Sequence, residues 1–318
     1  MHNLDAQAVR QALPMSRAIE AMARAFAAYS AGQVEMPLRL RLPVPPHDAV
    51  VLHMPAYLHD EQGEALAVKI VSVYPHNPQK GHPLIYATVL VLEPETGRPL
   101  AVLEGATLTA IRTGAASGLA TRLLAKEDAH VLAVFGAGAQ ARTQIEAVCT
   151  VRPIERVWIY APTRRHVEAL IEERAGKGPI PKDMRVADSP AQALAEADVV
   201  CTATTSRTPV FDPQDLRPGT HINAVGSYTP EMVEIPLETV ARAYVVVDSR
   251  EAARAESGEI AQALARGLLT EDALVELGEI VLGRKPGRTG RDQVTLFKSV
   301  GLAVQDAAAA QAALEAMA

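Results

Sequence analysis

Aromatic side chains are scarce in this sequence: 4 Phe, 7 Tyr and 1 Trp among 318 residues. So few rings furnish no platform for stacking bases, and a net charge of −6 comes with no Lys/Arg-rich run. Nucleic acid is thereby excluded as the main partner. Cysteine is nearly absent. Cys149 and Cys201 each sit among apolar neighbours and read as small buried hydrophobes, not as a disulfide. The nine His and two Cys show no H-x-x-x-H or C-x-x-C spacing, so no metal site is expected. No apolar run approaches the roughly 20 residues that span a bilayer. The opening segment MHNLDAQAVRQALP has neither a basic nor an apolar leader pattern. The expectation is a cytoplasmic protein with no membrane partner.

What is present is ordinary globular material, with 48% apolar and 21% charged residues and length enough for two cores. Helical spacing of Leu4, Val9, Leu13, Ile19, Met22 and Phe26 predicts a helix over 5–31. Proline-rich and alternating stretches through residue 105 predict largely antiparallel sheet. From 107 the character changes. A helix of small residues, TLTAIRTGAASGLATRLLA, leads into strands at 131–135, 156–160, 198–204, 221–227 and 243–249 with helices between. That alternation predicts a parallel sheet with right-handed crossovers. Residues 251–282 read as helical, GRKPGRTGRD (283–292) as a surface loop, and TLFKSVGLAVQDAAAAQAALEAMA as a closing Ala-rich helix.

The segment VLAVFGAGAQARTQIEAV contains Gly136, Gly138 and Ala141 as G-x-G-x-x-A, after a strand and opening a helix. In a dinucleotide-binding (Rossmann) fold the three small residues allow a tight turn, backbone approach to a pyrophosphate, and close helix–strand packing. The second strand ends in VWIYAPTRRH, with no Asp or Glu to bind an adenosine ribose. Thr163, Arg164 and Arg165 stand there instead, a set that suits a 2′-phosphate. The expected coenzyme is NADP(H), with NAD(H) as the second choice.

Two basic residues are out of place. Lys69 interrupts the apolar run EALAVKIVSVYP, as a functional group or as an edge lysine that discourages aggregation. Arg112 is the lone charge in the small-residue helix, as a fork for a carboxylate or phosphate or as a capping arginine. The pattern supports both readings at each position. His53 and the other scattered histidines read as structural.

AVKIVSVYPHNPQKGHP, ETGRPLAVLEGATLTAIRTGAASGLATRLLA, VFGAGAQA, INAVGS and TLFKSVGLAVQD together resemble the ornithine cyclodeaminase/mu-crystallin family, across nearly the whole chain and in the expected order. The resemblance implies an α/β protein in two parts. Residues 118–297 would form a Rossmann NAD(P)-binding domain; 1–117 and 298–318 would form a smaller α+β substrate-binding and dimerisation domain, giving a homodimer. It further implies that Lys69 is catalytic and that Arg112, with Arg41 (Arg39 being its rival), binds the carboxylate of an amino or imino acid. Arg112, Thr113, Gly136, Gly138, Ala139 and Gln140 would contact the coenzyme phosphates. Thr163 and Arg164 would lie at its adenosine ribose. Thr204, Val225, Gly226, Ser227, Lys298 and Ser299 would line the nicotinamide side.

One departure bears on the reaction. Ornithine cyclodeaminases carry G-G-D-C-P after the NAVG-type strand, whereas this chain reads NAVGSYTPEM, with Tyr228 at the aspartate's place and Glu231 out of step. Phenols ionise near ~10 and are poor bases at neutral pH. The expected reaction is therefore NAD(P)H-dependent reduction of a cyclic imino acid, such as pyrroline-2-carboxylate or piperideine-2-carboxylate (the ketimine reductase type). The alternatives are cyclodeamination of ornithine, an alanine dehydrogenase-like activity, and coenzyme binding without catalysis.

Overall fold

Pro14 divides what the sequence reads as one N-terminal helix. In the computed structural model, which describes residues 1–317, strand β1 (His2–Leu4) is followed by α1 (Ala6–Ala12) and α2 (Met15–Ser30). Asp5 caps α1 by accepting from Ala8 N at 2.9 Å. Pro14, with no N–H to continue a helix, serves as the N-cap of α2. Next come β2 (Val34–Glu35), β3 (Leu40–Val44), β4 (Ala49–Asp60), β5 (Gly63–Val73), β6 (Ile85–Leu92) and β7 (Pro99–Glu104). They pair in the order β1-β7-β6-β5-β4-β2, with β3 also on β4; only β1 and β7 run parallel. Helix α3 (Gly105–Leu124) starts where the Glu104 carboxylate accepts from Ala106 N at 3.0 Å and Thr107 N at 2.8 Å.

The chain divides into two units, Met1–Arg112 with Leu302–Ala318, and Thr113–Gly301. The resemblance set these boundaries at 117/118 and 297/298. In the second unit β8 (Val131–Phe135), α4 (Ala139–Val151), β9 (Arg156–Tyr160), α5 (Arg164–Arg174), β10 (Asp183–Val186), α6 (Pro190–Leu194) and β11 (Val199–Thr202) alternate as expected. There follow β12 (His221–Ala224), α7 (Leu237–Arg242), β13 (Tyr244–Val247), α8 (Arg250–Glu256), α9 (Gly258–Ala265), β14 (Val275–Glu276), α10 (Leu277–Val281) and β15 (Thr295–Lys298). The sheet order is β10-β9-β8-β11-β12-β15-β13-β14, all parallel. The chain winds one way from β8 through β9 to β10 and the other way through β11 and β12. The switch point between β8 and β11 is where such sheets bind ligands.

Two expectations fail in this half. The helix read over 251–282 is broken at Ser257, again beyond Arg266, and by β14. Residues 295–298 are not the start of the last helix but a buried strand between β12 and β13. Four residues, TLFK, beside an Ala-rich stretch carry no periodicity that would separate strand from helix. Residues 283–292 form a loop, as expected, yet Arg288 fastens it by donating to Leu124 O at 2.7 Å and Gly219 O at 2.9 Å.

The chain returns to the first unit with α11 (Ala303–Glu315), which packs with α2 on one face of the antiparallel sheet. Strict alternation sends Leu52, Met54, Ala56 and Leu58 of β4, and Ala65, Ala67, Lys69 and Val71 of β5, to that face. Leu40, Leu42, Ile70 and Tyr86 point the other way. They line up across the sheet as Leu40–His53–Ile70 and Leu42–Val51–Ser72–Tyr86, and all four are exposed. No described helix of the protein is long and apolar enough to cross a membrane.

Candidate active site

Lys69 is forced inside by the period of β5. Its neighbours two residues either way, Ala67 and Val71, are core, so the lysine faces α11 at 2% exposure. A buried ammonium needs a partner. It has one in Asp306, in the first turn of α11, with Nζ 2.6 Å from Oδ2. The same carboxylate accepts from Arg112 Nε on its other oxygen at 3.1 Å. Arg112 Nη1 donates to Gln305 Oε1 at 3.1 Å, and that amide oxygen also accepts from Leu302 N at 2.7 Å. Two buried cations thus share one buried anion, and the cluster carries an excess positive charge. Burial, with Arg112 and Arg39 nearby, pulls Lys69 from 10.5 down to about 8, against the upward pull of Asp306.

The structure separates Arg41 from its rival Arg39 by register. Arg41 is exposed, and its partner across the strand pair is Leu52. Arg39 is half-buried, and carrying the register of β3 back one step sets it opposite Met54, itself opposite Lys69. Both arginines share the face of Lys69, but Arg39 lies level with it, and its charge is felt there. Residues two apart on a strand have the same parity, so alternation alone does not choose between them.

In the parallel unit, the glycine turn is built to hold phosphate. Gly136 has φ +106°, and a Cβ there would lie 2.5 Å from Ala203 O. A side chain is excluded on both counts. Gly138 is the N-cap of α4, with open space where its Cβ would be. No side chain caps that helix, and its first turn holds no acid. Arg142 braces the turn by donating to Ala137 O at 3.2 Å and Gly138 O at 2.9 Å, and the first-turn N–H groups of α4 have no acceptor within the helix. Gln140 has a buried amide oxygen with no partner. Thr113, buried, accepts from Gln144 Nε2 at 3.3 Å through its carbonyl, and Gly114 comes so close to α4 that a Cβ would meet Thr143 O at 2.5 Å. An uncapped helix start, a glycine with room in front of it and an orphaned amide fit a dinucleotide pyrophosphate.

Thr163 is the N-cap of α5, and the exposed Arg164 is held between Glu168 at 2.9 Å and Asp188 at 2.8 Å. The loops after β11 and β12 meet on a buried acid absent from the residues singled out in the sequence. Glu234 accepts from Thr204 N at 2.7 Å and Thr204 Oγ1 at 2.8 Å on one oxygen, and from Gly226 N at 2.7 Å and Ser227 N at 3.0 Å on the other. Burial pushes its carboxyl up, while Lys298 and the Thr204 N–H pull it down. Val225 N donates to Thr202 O at 3.0 Å and extends the β11–β12 pairing by one step.

Ser227, Lys298 and Ser299 are internal. Lys298 Nζ is 2.6 Å from both Ser227 O and Ser227 Oγ, and Ser299 Oγ donates to Asp248 at 2.9 Å. Their side chains are engaged by protein partners, beneath the stretch that the resemblance sets at the nicotinamide side. Tyr228 is half-buried just beyond. Asp306 was the other omission, and its signal was legible: it is the one acid in the first turn of an Ala-rich helix.

A doubly wound sheet with a phosphate-ready turn, joined to an antiparallel unit that buries a lysine in a positively charged cluster, defines an α/β oxidoreductase of the dinucleotide-dependent class. The chain belongs to the ornithine cyclodeaminase/mu-crystallin family, whose sequence model matches residues 2–318. It is 41% identical over 308 residues to a Delta(1)-pyrroline-2-carboxylate reductase of Bacillus cereus, covering 95% of this chain and 92% of that protein. It is 36% identical over 293 residues to the ketimine reductase mu-crystallin of Mus musculus, covering 92% and 88%. The Delta(1)-pyrroline-2-carboxylate reductase of Thermococcus litoralis, solved in complex with NADH and L-proline, superposes with a TM-score of 0.93 at 42% identity, over 99% of this chain and 97% of that one.

Asp306→Ala removes the only anion paired with Lys69 and Arg112 among the described residues, leaving two buried cations together. The expected loss is about 3–5 kcal/mol of unfolding free energy, read by urea denaturation; a loss under about 1 kcal/mol would contradict the pairing.

Proposed function

We propose that the protein reduces cyclic imino acids in which the carbon–nitrogen double bond adjoins a carboxylate, pyrroline-2-carboxylate and piperideine-2-carboxylate being the fitting substrates. One observation carries this reading: the buried excess of positive charge around Lys69, with a single carboxylate shared by two cations. A substrate carboxylate supplies the missing anion. Arg112, held by Asp306 and Gln305, would offer its remaining N–H donors, and the register that sets Arg39 level with Lys69 supports it as the second arginine. Bound NAD(P)H supplies the hydride that adds to the imine carbon. The ring nitrogen takes a proton in the same reduction, and Lys69 Nζ is its source. Near pH 8 the lysine is poised to give one up, and Asp306 at 2.6 Å keeps it aimed and charged until it does. The relatives named for pyrroline-2-carboxylate and ketimine reduction support the same chemistry. Tyr228 in place of an aspartate argues against cyclodeamination.

We favour NADP(H) as coenzyme, because residues 160–166 contain no acid and Arg164 heads α5. A 2′-phosphate would replace Asp188 and Glu168 as the partner of Arg164; with NAD(H) the guanidinium keeps its two carboxylates. The exposed apolar face of the antiparallel sheet supports a homodimer, with each copy covering Ile70, Leu40, Leu42 and Tyr86 of the other. Free buried Cys149 and Cys201 suit a cytoplasmic setting.

The primary test is oxidation of NADPH in the presence of pyrroline-2-carboxylate with stoichiometric formation of proline; ammonia release from ornithine with no such oxidation would overturn the reading. Lys69→Ala should lower kcat by about 10²-fold or more with coenzyme affinity kept. The protonated donor exists below its pKa. The wild-type rate should therefore hold at lower pH and fall as pH rises through about 8, a limb that Lys69→Ala removes. Arg164→Ala should cut kcat/KM for NADPH by about 10–100-fold and leave that for NADH unchanged; equal losses would refute the coenzyme preference. In sedimentation, wild type should run as a dimer and Ile70→Asp as a monomer of unchanged circular dichroism. A wild-type monomer would remove the dimer.

A further inference from the structure

In the parallel unit, the floor of the carboxyl end of the sheet is charged. Glu234 ties the loops after β11 and β12, and Ser227 links it to a second carboxylate: Ser227 Oγ donates to Glu259, 2.7 and 2.8 Å from its two oxygens. Lys298 Nζ lies 3.3 Å from Glu259 and bonds Ser227. All four side chains are fully buried. A third carboxylate, Asp248, closes the row by accepting from Ser299 Oγ at 2.9 Å and from Val300 N and Gly301 N at 2.8 Å. Lys298 is the one buried cation of this unit among the described residues.

Four donors converge on Glu234; three are backbone N–H groups, which cannot turn to accept and so favour the ionised form, against the burial that pushes its carboxyl up. Glu259 stands in the first turn of α9, where the helix favours an anion. Gly226 is glycine because a Cβ would meet Glu234 Oε1 at 2.4 Å. The backbone there is seated directly on the carboxylate.

Topology says which half of a coenzyme this floor serves. A pyrophosphate at the start of α4 with its adenosine ribose at the end of β9 would send the nicotinamide the other way, toward β11 and β12. The nicotinamide ring is neutral when reduced and gains a positive charge as hydride leaves. We propose that Glu234 is a positioning residue which, with Glu259 and Lys298, places a net negative charge at the nicotinamide side of the sheet and so favours the oxidised, cationic ring over the reduced one. The cluster then assists hydride donation by stabilising charge that develops in the transfer, in a setting already desolvated. The inference rests on the coenzyme site of the proposed function and adds the residues that bias it.

Binding of both coenzyme forms to the purified full-length protein is the test, by calorimetry with NADP+ against NADPH and NAD+ against NADH. Glu234→Gln and Glu259→Gln each remove one negative charge at nearly constant shape. In each, the Kd for the oxidised form should rise about tenfold or more relative to that for the reduced form. A merely structural role would weaken both forms by the same factor, and an unchanged ratio overturns the inference while leaving the reductase reading intact. If Glu234→Gln does not fold, Glu259→Gln decides, because it leaves the loop N–H anchors in place. Wild-type protein that binds neither form overturns the coenzyme site and this inference together.

Discussion

Asp306 holds the antiparallel unit's site together. One carboxylate lies between Lys69 at 2.6 Å and Arg112 at 3.1 Å, and the pair would otherwise repel in a place where water cannot screen them. The rest of that unit exists to make this contact. Alternation in β5 turns Lys69 inward, α11 brings Asp306 down onto it, and α3, capped by Glu104, carries Arg112 to the second oxygen. Because the cations outnumber the anion, the arrangement satisfies itself only in part, and the carboxylate of the proposed substrate would complete it. A preference for an anion follows from this charge count before any shape is considered.

The parallel unit solves a related problem with backbone in place of side chains. At the glycine turn the uncapped start of α4 offers backbone N–H groups that suit a phosphate, while Arg142 is spent on the turn's carbonyls. At the opposite side of the switch point the sign reverses: buried carboxylates gather the N–H groups of the β11 and β12 loops. One end of the cradle is therefore electropositive and the other electronegative. That polarity matches a coenzyme whose pyrophosphate is anionic and whose reactive ring alternates between neutral and cationic.

The sequence made the parallel unit readable because each strand there is a short apolar run followed by an amphipathic helix, and the boundaries of β8, α4 and β9 fall where the pattern puts them. β15 escaped notice for the same physical reason that makes it a core strand: buried on both faces, it has no alternation to show. Lys69 and Arg112 stood out as charges in apolar surroundings. Asp306 and Glu234 are equally anomalous, yet each is a lone acid whose meaning depends on partners far along the chain, and only the fold supplies those partners. Arg41 against Arg39 shows the limit of periodicity, since both share a face and only register tells them apart. Ser227 and Lys298 stood out only through the resemblance, and the bonds between them, which tie β15 to the loop after β12, are visible only in the fold.

Lys69 is a buried ammonium whose pKa is lowered to about 8, and nitrogen-15 NMR of the lysine Nζ reads this directly. Titration of the free protein should show one lysine changing near pH 8, well below the ordinary 10.5, absent in Lys69→Ala and moved upward when L-proline's carboxylate binds. A Lys69 signal that titrates near 10.5, and does not respond to the ligand, would contradict the account.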